Sequence, residues 1–415
     1  MSNEASTSNS MLITQDIDLG GYKWTPIGKN NYYNGSIIGR GHTIKGLYLE
    51  PAAADLNCGL IGQTNSTATI KDLNIEGKIV IKQLPTGSNA DYGCFIGLAN
   101  ALKEIVNCHA KMDIDGAGGC GIYQGGLIGR LKAVNIDLCS YEGTTTIAKT
   151  NNKTKGYGGL VGTANSGVSG AKANITNSYV IGDIINTSET ATKYGAAIIG
   201  YANLSKGAIT IDNNYIDCNM SYTTKPTNYG VMTGTATGEG TNTIFKTNYV
   251  VKNSNVTADY DAKDVTIEEM HNGALCYMLN GDQGTRIFGQ DLTDTEGHPI
   301  MFNEGQEVYK TIYMVDDTEY TIGYNNHKLI LPIAPQKDGM KFVGWYDELI
   351  NGNAYDNTSD INKDMILYAQ FTEATSINNI IIDKADKKTY TIYGTQTPKA
   401  YKGIIVANNK KYIRK

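Results

Sequence analysis

The apolar positions of this chain fall into short runs broken by glycine, with little of the three-and-four spacing that marks helices. The runs recur as CGLIG at Cys58–Gly62, YGCFIG at Tyr92–Gly97 and GGLIG at Gly125–Gly129. They return as YGGLVG at Tyr157–Gly162, YGAAIIG at Tyr194–Gly200 and YGVMTG at Tyr229–Gly234. Their closing glycines, at 62, 97, 129, 162, 200 and 234, are separated by 35, 32, 33, 38 and 34 residues. Self-similarity at a period of roughly 20–50 residues predicts stacked repeats. Between the phrases lie apolar-led segments beginning at Ile70, Ile105, Ile136, Ile175, Ile211 and Phe245, and often a further short strand, as at Gly77 and Gly182. Three strands per period of about 34 residues predict a parallel β-helix whose rungs pair only with their neighbours.

Aligning the middle segments on their first apolar residue places Leu73, Cys108, Cys139, Ser178, Asn214 and Asn248 in one column. Stacked rungs would make this an inner ladder, with Asn214 and Asn248 sharing amide hydrogen bonds. The glycines suit corners that need positive φ or close backbone approach. Upstream, the alternation of Ile13, Ile17 and Leu19, then of Ile44, Leu47 and Leu49, predicts two strands of an opening rung. Trp24 and Pro26 are placed to cover its open end.

Near residue 258 the period changes. Ile267, Met270, Ala274, Leu275 and Met278 share one helical face, Thr266 with Glu269 forms a capping box and Gly281 a stop. An amphipathic helix over about 266–279 is expected to seal the bottom of the solenoid, where strand edges would otherwise be exposed. Alternating strands follow over 306–372, and again from Ile377–Ile382 to the C-terminus. The mainly β architecture is thus a β-helix over 11–258, a helical connector over 259–305, a β module over 306–373 and a small C-terminal β module over 374–415.

Composition narrows the function. Glycine is abundant (47) and proline scarce (8), while Tyr (28) far outnumbers Phe (6) and Trp (2). A net charge of −5 and only four arginines, Arg40, Arg130, Arg286 and Arg414, argue against nucleic-acid recognition. No apolar run approaches about 18 residues, so no transmembrane helix is expected. The N-terminus lacks the form of a signal peptide, and the abrupt start of the pattern at Leu12 favours an export signal already removed over a cytosolic chain. The seven cysteines include no CxxC pair and read as small buried residues.

The glycine phrase with its Ile-x-Asn segments, opened by DIDLGGYKWTPIG and GRGHTIKGLYLE, resembles the GLUG repeat of bacterial secreted and surface proteins over about 11–250. YGAAIIG departs by an extra residue and YGVMTG by a Thr. Residues 309–372, especially PQKDGMKFVGWYDE and ILYAQF, resemble the Listeria–Bacteroides repeat, a β-grasp-like module. The stretch NGALCYMLNGDQGTRIFGQDL is similar to a connector of Bacteroidetes surface proteins, and the tail to C-terminal modules of that phylum's exported proteins, some of them sorting signals. These resemblances imply an extracellular or cell-surface protein associated with the envelope. They imply no reaction.

GLUG repeats also occur beside IgA-peptidase-type metalloproteases, which need His-Glu-x-x-His. None of His42, His109, His271, His298 and His327 has that spacing, so this chemistry is excluded here. No nucleophile elbow or Walker loop is present, and no cofactor or metal is expected. Asp113, Asp115 and Asp137 on neighbouring rungs offer a carboxylate group for a polysaccharide-active enzyme, or ordinary turn aspartates. Arg40 and Arg130, each following a closing glycine, fall in a column with Gln63, Leu98, Thr163, Tyr201 and Thr235 that reads as a solvent-facing corner. Tyr92, Tyr123, Tyr157, Tyr194 and Tyr229 would form a stripe on aligned rungs, either stacking on sugar rings or packing over the glycine corners. The expectation is a non-enzymatic, adhesin-like protein binding host or matrix glycans or proteins. A polysaccharide lyase or hydrolase and a pure spacer are the alternatives.

Overall fold

The computed structural model describes residues 8–65, 67–87, 89–151, 154–166, 172–204, 207–234, 242–252, 259, 262–281, 286–302, 305–374, 389–397, 402–407 and 410–414. The chain divides into two compact units. One comprises residues up to 311 with 324–330 and 359–364, and the other residues 312–323, 331–358 and 365–415. The protein is mainly β, with a β-solenoid of about 6 turns.

The two turns that begin at Asn57 and Asp91 carry three strands, as the apolar pattern predicts, with Thr69–Val80 and Glu104–Gly116 unbroken, and the next three turns carry four. The glycine phrase itself divides: Asp91–Gly93 and Ile96–Ala99 are separate strands, stacked in a six-stranded and a five-stranded parallel sheet. The division follows from close packing at the intervening turn. A Cβ on Gly93 would lie 2.6 Å from the Ile96 carbonyl oxygen and 2.7 Å from the Gly129 amide, and one on Gly97 2.5 Å from the Asp91 carbonyl. None of these phrase glycines has positive φ; neighbouring backbones fill the space a side chain would need.

Positive φ falls instead on Asp72, Asn107, Leu138, Asn177 and Asn213, all between 51° and 55°. They mark the corner within the longest sheet, just before the inner column. That column is present as predicted: Leu73, Cys108, Cys139, Ser178, Asn214 and Asn248 are all at most 1% exposed. Its polar members form a continuous ladder. Cys139 N–H donates to Ser178 Oγ (3.0 Å), Ser178 N–H to Asn214 Oδ1 (2.9 Å) and Asn214 N–H and Nδ2 to Asn248 Oδ1 (3.1 and 3.0 Å). The corner residues add an outer amide ladder. Asn107 Nδ2 donates to Asp72 (2.9 Å), Asn177 Nδ2 to Asp137 (2.8 Å) and Asn213 Nδ2 to Asn177 (2.8 Å). Leu138, which has no amide, interrupts it.

All seven cysteines are buried and free. At the N-terminal end Met11–Leu12, Ile17–Asp18 and Thr43–Leu49 continue the long sheet, and Trp24 packs on the solenoid core with its indole N–H on the Leu60 carbonyl (3.0 Å).

The expected helix is two, Ile267–His271 and Ala274–Asn280, because Gly273 adopts φ 92° between them. The Thr266–Glu269 capping box is formed. These helices pack against Val251 and Val265 of the last described strands and against a tyrosine column beside them. Met270, Leu275, Cys276 and Leu279, with Phe288, Met301 and Val308, cover Tyr179, Tyr215 and Tyr249. Those tyrosines form one register column on the outer side of the long sheet, distinct from the solenoid core. The Tyr179 and Tyr215 rings stack at 4.9 Å, an apolar surface that the connector takes out of water.

The second unit holds most of a five-stranded sheet in the order Thr318–Asn325, Tyr309–Val315, Met365–Glu373, Met340–Tyr346, Ala354–Tyr355. Trp345 is its buried centre, met edge-on by Tyr313 at 4.8 Å and by Phe342 at 5.5 Å. Gly403–Ala407 pairs antiparallel with Tyr390–Thr391 and Lys410–Arg414. The predicted Ile377–Ile382 strand lies outside the described residues. Among the described residues no helix is long and apolar enough to cross a membrane.

Candidate functional site

The five tyrosines singled out from the phrases do not form one exposed stripe. Tyr92 and Tyr157 stack with Gln124, Gly195 and Tyr229 in a column that packs inward, and both rings are 1% exposed. The Tyr92 hydroxyl reaches the Asp55 carbonyl at 3.4 Å, and the Tyr157 hydroxyl shares a buried polar pocket with Asn186, Thr192 and Tyr222. Gly195 belongs to this column because the Tyr157 ring and hydroxyl occupy the place of its side chain, 2.8 Å from an added Cβ. Tyr229 is 48% exposed, with the Lys225 ammonium 3.4 Å above its ring. The packing role therefore holds for Tyr92 and Tyr157, with their hydroxyls turned into the protein and away from solvent.

Tyr123 and Tyr194 stand one position away, in the register column Asn57, Asp91, Tyr123, Gly156, Tyr194, Asn228. Tyr194 is shifted into it by the extra residue of YGAAIIG. A second column, Gln63, Leu98, Arg130, Thr163 and Tyr201, runs beside it on the strands after the turn. It is not the solvent-facing corner expected: Leu98 and Thr163 are buried, and Arg130 lies against Asp91. Arg40 is not in it. Gly39 and Gly41 donate to Lys71 and Asp72, which places Arg40 (φ 57°) at the long-sheet corner. Thr235 lies outside the described residues.

The two columns meet in a sequence of side-chain steps along one face. Asn57 Nδ2 contacts Gln63 Oε1 at 3.5 Å. On the next rungs Arg130 pairs with the Asp91 carboxylate at 2.7 Å and lies 5.6 Å from the Tyr123 ring centroid. Further on, Tyr194 and Tyr201 stack at 4.1 Å and 13°, with the Lys193 ammonium 5.1 Å from the Tyr194 ring. Between these groups the rung of Gly156 and Thr163 carries no large side chain. Rungs stand about 4.8 Å apart, so Tyr123 and Tyr194 are separated by about 9.6 Å at the backbone, with Gly156, Thr163 and Tyr194 themselves buried.

Electrostatically this face centres on Asp91, which is fully buried. Burial lifts its carboxyl to about 7, with Arg130 and then Lys132 pulling the other way. The Tyr123 phenol is also raised, chiefly by burial. The three aspartates considered for catalysis are not gathered. Asp113 accepts from the Thr144 amide, Asp115 from Ala117, and Asp137 from Thr176 and Asn177. Their role is to hold backbone and corner. The Asp91–Arg130 pair was the residue set least visible in the sequence. Its only signal is that Asp91 precedes one phrase and Arg130 follows the next.

The Listeria-Bacteroides repeat domain matches residues 300–370. Internalin H of Listeria monocytogenes serovar 1/2a is 38% identical over 69 residues, 16% of this chain and 13% of that protein, so the chain matches only a small part of this relative. The fold is similar to a crystal structure described as "a putative immunoglobulin A1 protease from Bacteroides ovatus", with TM-score 0.50 and 17% identity over 71% of this chain and 85% of the other. At that identity the likeness is one of fold. Together these similarities point to a surface or exported repeat-containing protein.

Proposed function

We propose that the chain is a GLUG-type solenoid protein of the cell surface or secreted fraction, adhesin-like, whose phrase-bearing face binds glycans of a host or matrix. The observation that carries this is the run of aromatic and cationic side chains along that face, Tyr123 with Arg130 and then Tyr201 with Tyr194 and Lys193. A sugar ring offers an apolar C–H face to aromatic walls and hydroxyls to a guanidinium and ammonium, which is the chemistry assembled here. Binding of this kind breaks no bond. The module at 300–370 and the C-terminal strands then serve as display and attachment elements, the former as a β-grasp-like unit.

The test is a glycan array and mucin titration with the full chain, alongside Tyr123→Ala and Tyr201→Ala. Binding weakened about tenfold in each variant, with melting unchanged, supports the reading. Equal binding by the variants, or no binding to any glycan, overturns it.

A further inference from the structure

On the long sheet, a second set of polar residues lines up on successive turns. Thr43, Asn74, His109, Ser140, Tyr179 and Tyr215 occupy one outward register column of the long sheet. A cavity of about 190 Å³, bordered by Tyr179 and by Ile300 of the connector, lies over Asn74, His109 and Ser140. In it the Ser140 hydroxyl lies 2.9 Å from His109 Nδ1, and His109 Nε2 lies 3.2 Å from Asn107 Oδ1.

The orientation of each group follows from the next. Asn107 Nδ2 donates to the Asp72 carboxylate at 2.9 Å, so its carbonyl oxygen faces His109. That oxygen accepts, so Nε2 carries the ring proton and Nδ1 is the base toward the Ser140 hydroxyl. Elsewhere in the corner ladder the equivalent oxygen is engaged by an amide, as Asn177 Oδ1 is by Asn213. Here the next corner residue is Leu138, which offers none. The break in the ladder and the Ser–His contact therefore have one origin. Burial pushes His109 down to about 4, against the pull of Glu142, so the ring is neutral at neutral pH.

We propose that Ser140, His109 and Asn107 act as nucleophile, base and positioning residue for hydrolysis of a short-chain carboxylic ester. Such a trio is recognised by its geometry and roles, whatever fold carries it. Ser140 Oγ attacks the acyl carbon and gives its proton to His109 Nδ1. The carbonyl–alkoxy bond breaks, and His109 returns that proton to the leaving oxygen. Water then attacks the acyl group, passing a proton through His109 to Ser140 and releasing the carboxylic acid. Lys111, on the same outward face two residues beyond His109, lines the cavity between its register partners Glu76 and Glu142 and is the one cation among the lining residues. The cavity is smaller than the roughly 300–1,000 Å³ that drug-sized ligands occupy, which restricts the acyl group to a few carbons.

This goes beyond the binding role and stands independently of it. The experiment uses the full chain with p-nitrophenyl acetate, and a fluorophosphonate probe followed by peptide mapping. A single adduct on Ser140 is expected, absent in Ser140→Ala, with ester turnover reduced at least a hundredfold. Asn107→Gly, which suits the positive φ of that site, should lower kcat about tenfold at unchanged KM and slow Ser140 labelling. An adduct elsewhere, no adduct, or Ser140→Ala turning over like the parent overturns the proposal. Glycan binding in the same samples reports separately on the phrase-bearing face.

Discussion

Asp91 and Arg130 sit on successive turns of the solenoid and join at 2.7 Å, the carboxylate fully shielded and the arginine side chain 17% exposed. Breaking a buried pair is costly because the remaining charge keeps its desolvation penalty, whereas replacing both partners by apolar groups can be close to neutral. Arg130→Met is therefore expected to lower stability by about 3–5 kcal/mol, and Asp91→Leu/Arg130→Met by much less. Urea denaturation of the single and double variants checks the non-additivity.

The same carboxyl gives a pH dependence. Its unfolded value is near 3.8 and its folded value about 7, so between the two the folded chain holds a proton that the unfolded chain lacks. The contribution is full below about pH 4 and is lost as pH rises to about 7. His109 runs oppositely, since its folded value is depressed from 6.5 to about 4 and its contribution is lost as pH falls through that window. The difference in urea midpoint between the parent and Asp91→Asn at pH 4.5 and 7.5 isolates the first effect. The parent's relative advantage should shrink at the higher pH.

Within the inner ladder, Asn214 is predicted to be the most sensitive member. Its side chain accepts from Ser178 N–H and donates to Ile175, Asp212 and Asn248, all in a sealed interior. Asn214→Ala should cost about 3 kcal/mol or more, at about 1–3 kcal/mol for each buried group left unpaired. Cys139→Ser should stay within about 1 kcal/mol. The Cys139 thiol contacts the carbonyl two residues before it, and the Ser178 hydroxyl already makes the same bond one turn on. Thermal melts of both variants decide this.

Glycines are predicted to divide sharply by site. A Cβ at Gly126 would stand 2.1 Å from the Gly159 carbonyl oxygen and 2.3 Å from the Tyr141 ring, so Gly126→Ala should cost more than about 4 kcal/mol or prevent folding. At Gly344 the nearest atom is 3.4 Å away, and alanine should be neutral or slightly stabilising. Soluble yield and melting temperature separate the two outcomes.

The period of the glycine phrase and the Leu73-to-Asn248 column were legible because stacking repeats the same local demand on every turn. The division of the glycine phrase into two strands was not, since glycine's small size hides whether it permits a bend or admits a neighbouring backbone. Tyr194 and Tyr92 look equivalent in sequence, yet one inserted residue moves Tyr194 to the adjacent column and turns its ring toward Tyr201. The Asp91–Arg130 pair and the Ser140–His109 contact join residues 39 and 31 positions apart. Neither is periodic, so only the register reveals them. The helices at 267–280 carried correct caps, but the three tyrosines on which they also dock lie too far away in sequence for the local pattern to name them.

That docking bears on how the molecule responds to pulling. A solenoid whose turns pair only with their neighbours can be peeled from an end, one rung at a time, at low force. The connector grips Tyr179, Tyr215 and Tyr249 on three consecutive turns, with the Tyr215 phenol also tied to the Pro299 carbonyl. Those turns must then yield together. For a protein displayed against flow or shear, this makes the last described rungs a mechanical clamp and leaves the earlier ones as the segment that gives way first.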